Sequence, residues 1–258
     1  MSTPFATDRP LVGLGLKMYF SAAETKQYLS DLVDRVGSLE EVTSGQVQLI
    51  VFPGFLSLPA CGAILGETPI AWGAQNVYFE PRGAFTGEVS IRELLDVSCS
   101  AVEVGHMERI KIFGETPDLI AKKITTALRH GLTPFVCVGE NSSGAFDDAA
   151  AEVLQQIEAF TGPARAEGLT GQVVYAYEPY WAIGADKPAS PDYVVEVSQR
   201  IREGLGSSDT SVLIYGGTAG PGLLPHIYPA AGGLFLGRLA HDLDNVYAVV
   251  KEAAALVS

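Results

Sequence analysis

The chain has 258 residues, 47% of them hydrophobic and 18% charged, which is enough apolar material for one large core and argues against wholesale disorder. A formal net charge of −13 argues against nucleic acid or an anionic membrane surface as a partner, since both need a basic face. It also means that an anionic substrate must be captured by a local positive site against the global field.

The first ten residues are polar and lack a basic segment followed by an apolar run, so no signal peptide is expected. No stretch reaches about 18 uninterrupted apolar residues, the usual length of a membrane span. Cys61, Cys99 and Cys137 are an odd number in a chain too large to need staples, which fits free thiols in a reducing compartment. These features together point to a cytoplasmic globular protein.

In chain order, short apolar runs alternate with amphipathic patterns. Strands are expected at residues 11–16, 48–52, 70–74, 101–104, 134–138, 173–177, 211–215 and 233–236, because their continuous hydrophobic character suits parallel strands buried on both faces. Ser21 with Glu24 three residues on reads as a capping box opening a helix over 21–36. Pro117 opens a helix that Gly131 stops after about Arg129. Further helices are expected at 147–160, 191–205 and 243–256. Eight strands alternating with helices favour a closed (β/α)8 barrel as a single domain over 1–258, with a doubly wound open sheet as the competitor.

In such barrels the chemistry sits on the loops after the strands. Lys17 follows the first strand, His106 the fourth and Glu178 the sixth, while glycine-rich turns follow the seventh and eighth. Taken singly, each has an ordinary reading as a solvated lysine, a structural histidine, a loop carboxylate or a tight turn. Together a carboxylate, a neutral imidazole and an ammonium suit proton abstraction beside a carbonyl. The carboxylate takes the carbon-bound proton, and the other two steady the charge on an enediolate. Gly216, Gly217 and Gly237 let backbone N–H groups approach a phosphate closely.

The segments Lys17-Met18, Gly73-Ala-Gln-Asn76, Gly83-Ala-Phe-Thr-Gly-Glu88, Gly105-His-Met-Glu-Arg109, Cys137-Val-Gly-Glu140, Tyr177-Glu-Pro-Tyr-Trp-Ala-Ile-Gly184 and Tyr215-Gly-Gly217 resemble the triosephosphate isomerase family, in that family's order. The resemblance implies the TIM barrel and an intramolecular oxidoreductase of carbohydrate metabolism. It makes Glu178 the base and His106 the neutral electrophile, roles long established in triosephosphate isomerase itself, with Lys17 as the electrostatic clamp. It further implies Glu108 as a partner near Lys17, and a lid over 179–189 that closes on the phosphate. The phosphate would bind backbone N–H groups of Gly184, Thr218, Gly237 and Arg238. Thr86 would project into the second subunit of a homodimer. No metal or organic cofactor is implied.

The chain also departs from the family. Where the family reads Asn-Trp-Lys-Met, it has Gly15-Leu16-Lys17-Met18. Met107 replaces the serine after the histidine, and Ile110 replaces an arginine. The lid's Gly-Thr-Gly-Lys-Thr becomes Gly184-Ala-Asp-Lys-Pro188, and the final Gly-Gly pair becomes Gly237-Arg238. Several changes in one pocket point to the same chemistry on another substrate. The missing Asn at position 15 leaves room for a hydroxymethyl group, and the chain resembles the tetrulose-phosphate isomerase branch that serves tetritol catabolism. The expected reaction is L-erythrulose 1-phosphate to D-erythrulose 4-phosphate. The alternatives are interconversion of dihydroxyacetone phosphate with D-glyceraldehyde 3-phosphate, and a barrel that binds phosphate ligands without turnover.

Overall fold

A computed structural model describes residues 5–183, 188–206 and 209–257. Eight parallel strands close into a barrel in chain order, each paired with its sequence neighbours and the last with the first. They are β1 (Leu11–Gly15), β2 (Gln48–Phe52), β3 (Ala71–Ala74), β4 (Ala101–Val104), β5 (Thr133–Val138), β6 (Val174–Tyr177), β7 (Val212–Tyr215) and β8 (Gly233–Leu236). Every expected strand is present, with its ends displaced by no more than one residue.

The helices between them are α1 (Ala22–Leu32), α2 (Glu40–Thr43), α3 (Leu58–Leu65), α4 (Ile91–Asp96), α5 (Met107–Phe113), α6 (Pro117–Arg129), α7 (Phe146–Ala166), α8 (Pro191–Leu205), α9 (Leu224–Ile227) and α10 (Leu243–Ala255). The capping box at Ser21 forms as expected: its hydroxyl accepts the Glu24 N–H, and the Glu24 carboxylate accepts the Ser21 N–H at 2.8 Å. Beyond Leu32 this helix widens into a π-helical turn, Val33–Gly37, rather than continuing as regular α-helix. Helix α7 runs six residues past its expected end, through Gly162 and Pro163. Its last turn stays helical because Ala164 is fully buried and the Thr161 hydroxyl donates to the Ile157 carbonyl at 2.7 Å.

The period of two along each strand separates two cores. Val12 and Leu14 on β1, like Val102 and Val104 on β4, face outward to the helices. Leu11, Ile50, Phe52, Ala101, Phe135, Val174, Val212, Ile214 and Phe235 fill the barrel. Inside, the ring of Phe52 packs edge-on against Phe135 at 4.9 Å and Phe235 at 5.5 Å, and Phe5 closes against Phe135 from the N-terminal segment. This aromatic plug forms a floor below the C-terminal ends of the strands, the end at which such barrels carry their chemistry.

Candidate active site

Residues from five strands and the segments after them line one cavity above that floor: Gly15, Lys17, Glu103, His106, Glu178, Gly217 and Gly237, walled by Ile183, Phe235 and Leu236. The three residues singled out for proton transfer are therefore brought together.

Lys17 leaves the end of β1 in a left-handed conformation, φ +50°, which is uncommon for a residue with a side chain. Gln75 over-determines this turn, because its Nε2 donates to the carbonyls of Lys17 and of Phe52, each at 2.9 Å. The Lys17 ammonium donates to Glu108 Oε1 at 2.6 Å. Burial works against ionisation of Glu108, but the Lys17 hydrogen bond and the neighbouring charges outweigh it and hold the carboxyl below its ordinary range.

His106 is the N-cap of α5, and its Nδ1 accepts the Glu108 backbone N–H at 3.1 Å. A nitrogen that accepts a hydrogen bond carries no proton, so the ring proton belongs on Nε2. The second Glu108 oxygen stands 3.6 Å from Nδ1, too far for a hydrogen bond.

Glu178 follows β6 and is buried, its own N–H held by the Val138 carbonyl at 2.8 Å. Beyond Pro179 the chain makes a 3₁₀ turn, Tyr180–Ala182, anchored by a second buried carboxylate. Glu140 Oε1 accepts from Trp181 Nε1 at 2.7 Å, Tyr193 at 3.0 Å and Tyr177 at 3.3 Å. The start of the expected lid is thus fixed, whereas Gly184 and the three residues after it lie outside the described residues.

On the opposite rim, Gly217 turns with φ +75°, and Thr218 and Arg238 are exposed while Gly237 borders the cavity. Among the described residues, the backbone N–H groups of Thr218, Gly237 and Arg238 donate to no other part of the chain, which leaves them available to an anion. The loop after β3 holds Thr86 and Phe85 exposed, so it does not fold down over its own barrel. A buried network ties that loop to the histidine's helix. Lys123 donates to Asn76 at 2.8 Å and to Glu115 at 2.5 Å, and Glu115 also accepts from Arg109.

A family model described as triosephosphate isomerase matches residues 10–253. The chain belongs to the triosephosphate isomerase family. It is 39% identical over 250 residues to an L-erythrulose-1-phosphate isomerase of Pectobacterium atrosepticum, covering 96% of both proteins. It is 37% identical over 251 residues to a triosephosphate isomerase of Roseiflexus castenholzii, covering 93% of this chain and 96% of that one. An L-erythrulose-1-phosphate isomerase of Rhizobium etli is 34% identical over 252 residues, with 95% of this chain and 93% of that protein aligned. As a member of the triosephosphate isomerase family the protein is a sugar-phosphate isomerase.

Two features of this isomerase were not read from its sequence. One is the Gln75 clamp on Lys17, which depends on how two strand ends meet. The other is Glu103, a carboxyl inside the barrel on β4. Burial pushes its pKa up to about 7; the carboxylates Glu178 and Glu108 push the same way, and the Lys17 ammonium pulls it down. The space expected beside Gly15 is bounded by Phe235, whose Cζ would stand 3.5 Å from a Cβ at that position.

Proposed function

We propose that the protein interconverts L-erythrulose 1-phosphate and D-erythrulose 4-phosphate through an enediolate, with Glu178 as the base. The observation that carries this reading is the meeting of Lys17, His106 and Glu178 in one cavity. Glu178 removes the proton from C3, the electron pair forms the C2=C3 double bond, and negative charge passes to the C2 oxygen. The Nε2–H of His106 and the Lys17 ammonium face that charge, and each such donor is typically worth roughly 10²–10³ in rate. Returning the proton to C2 while the C3 hydroxyl yields its own moves the carbonyl by one carbon. Backbone N–H groups of Gly184, Thr218, Gly237 and Arg238 hold the phosphate, and the lid over 179–189 excludes water. No metal or organic cofactor enters this scheme.

The four-carbon substrate is favoured by Gly15, which leaves no side chain beside the reacting carbons, and by the names of the Pectobacterium and Rhizobium relatives. Interconversion of dihydroxyacetone phosphate with D-glyceraldehyde 3-phosphate is the second reading, supported by the name of the Roseiflexus castenholzii relative. A barrel that binds phosphate ligands without turnover is disfavoured by the complete proton-transfer set. The protein works as a cytoplasmic homodimer, with Thr86 reaching across the interface. The mechanism is tested with Glu178→Gln, which should fold normally and lose at least about 10² in kcat and in proton exchange with solvent. Turnover above a tenth of wild type would remove Glu178 from the mechanism.

A further inference from the structure

Among the described residues, four ionisable side chains line the cavity, and the chemistry uses three of them. Glu103 is the fourth. It sits on β4 two residues after Ala101, which belongs to the barrel interior, while Val102 and Val104 face the helices. The period of two therefore sends the Glu103 side chain inward, onto the cavity floor. It is buried, and among the described residues its carboxyl has one hydrogen-bond partner, the Cys137 thiol at 3.9 Å. A thiol is a weak donor. An apolar residue would pack in this position without the several kcal/mol that an uncompensated buried carboxyl costs.

A carboxyl kept on such terms faces a ligand that compensates it. The phosphate and the enediolate oxygens are negative and suit the cationic and N–H groups on the other walls, so neither calls for a carboxyl. A neutral hydroxyl does, because it donates to the ionised carboxylate and accepts from the protonated acid. The substrate group not yet given a partner is the hydroxymethyl on the carbon from which Glu178 takes the proton. We propose that Glu103 determines the four-carbon specificity by hydrogen-bonding the terminal hydroxymethyl of the tetrulose phosphate, a group that triose phosphates lack. Gly15 then supplies the room and Glu103 the recognition. This rests on the four-carbon reading of the site.

The test is a cycle of two enzymes and two substrates: wild type and Glu103→Leu, each with L-erythrulose 1-phosphate and with its 4-deoxy analogue, in which a methyl replaces the hydroxymethyl. Sites built around a substrate hydroxyl reject the analogue lacking it strongly. Wild type should prefer the hydroxymethyl compound by at least about tenfold in kcat/KM, and Glu103→Leu should erase that preference. Glu103→Gln, which can still donate and accept, should restore most of it. A preference surviving in the leucine variant, or a glutamine variant as indifferent as leucine, would overturn the role of Glu103 while leaving the four-carbon reading intact. Wild type that turns over dihydroxyacetone phosphate faster than either four-carbon compound would overturn both.

Discussion

The side chain of Glu178 lies against the Cα of Gly216, so close that a Cβ at 216 would stand 2.5 Å from both Cγ and Oε1 of the glutamate. Gly216 is held in place by its own N–H, which donates to the Tyr177 carbonyl at 2.8 Å. The flexible partner must therefore give way, and the carboxylate would be displaced toward the cavity. Displacement of about 1 Å in a reacting group can cost about 10² in rate. Gly216→Ala should thus lose about two powers of ten in kcat while keeping its thermal midpoint within a few degrees. A folded alanine variant within threefold of wild-type kcat would show that the glycine does not set the position of the base.

Glu103 gives a signature in stability that is independent of catalysis. Its neighbours are Cys137 on β5, Lys17 after β1, His106 and Glu108 at the start of α5, and Glu178 after β6. A carboxyl whose folded pKa is raised binds its proton more tightly in the folded state. The folded state therefore gains stability from the acid form, fully present below about pH 4.5 and lost as pH rises through about 7. At about 1.4 kcal/mol per pH unit the loss is about 3 kcal/mol. Glu103→Gln cannot ionise, so relative to wild type it should be about 3 kcal/mol more stable at pH 8 than at pH 4.5. Denaturation curves at the two pH values check this, and a difference that does not change with pH would contradict it.

Gly15→Asn tests the size of the pocket. A Cβ at Gly15 would meet Phe235 at 3.5 Å and the Leu236 carbonyl at 3.6 Å, ordinary contacts that the backbone accommodates. The amide would then project into the space assigned to the hydroxymethyl. The ratio of kcat/KM values, tetrulose over triose, should fall at least about tenfold, about 1.4 kcal/mol of differential transition-state binding. An unchanged ratio in a variant of normal stability would show that position 15 does not set substrate size.

Assembly has its own test. Met18 and Leu56, in the segments after β1 and β2, are 96% and 91% exposed, and Phe85 in the loop after β3 and Ile112 and Phe113 on α5 are exposed as well. Large apolar side chains left exposed on the segments after four successive strands call for a cover. Light scattering at micromolar concentration should report the mass of two chains. A mass of one chain with activity intact would contradict the homodimer.

The strands were legible because parallel strands buried on both faces are written as unbroken apolar runs. Helices α1, α6, α8 and α10 were legible where a start signal or an apolar stripe, or both, marked them. Helix α5 was not, since it buries none of its residues and so carries no apolar period. Which ring nitrogen of His106 carries the proton was hidden for the same reason, because its Nδ1 is occupied only once α5 forms. Helix α4 did carry a signal, a capping box at Ser90 and Glu93, that went unread. At the end of α7 the pair Gly162-Pro163 reads as a stop, yet packing of Ala164 overrides it. Glu103 had a visible mark too: a charge at an inward position within the apolar run Ala101-Val-Glu-Val104, where a barrel core has no use for one.

The measurement that bears most directly on the account is kcat/KM of the wild-type protein for L-erythrulose 1-phosphate against that for dihydroxyacetone phosphate, under one set of conditions. A ratio above about ten in favour of the tetrulose is the result predicted by the open position at Gly15 and the spare carboxyl of Glu103. A ratio below one would contradict the four-carbon assignment and leave a triosephosphate isomerase with an altered pocket.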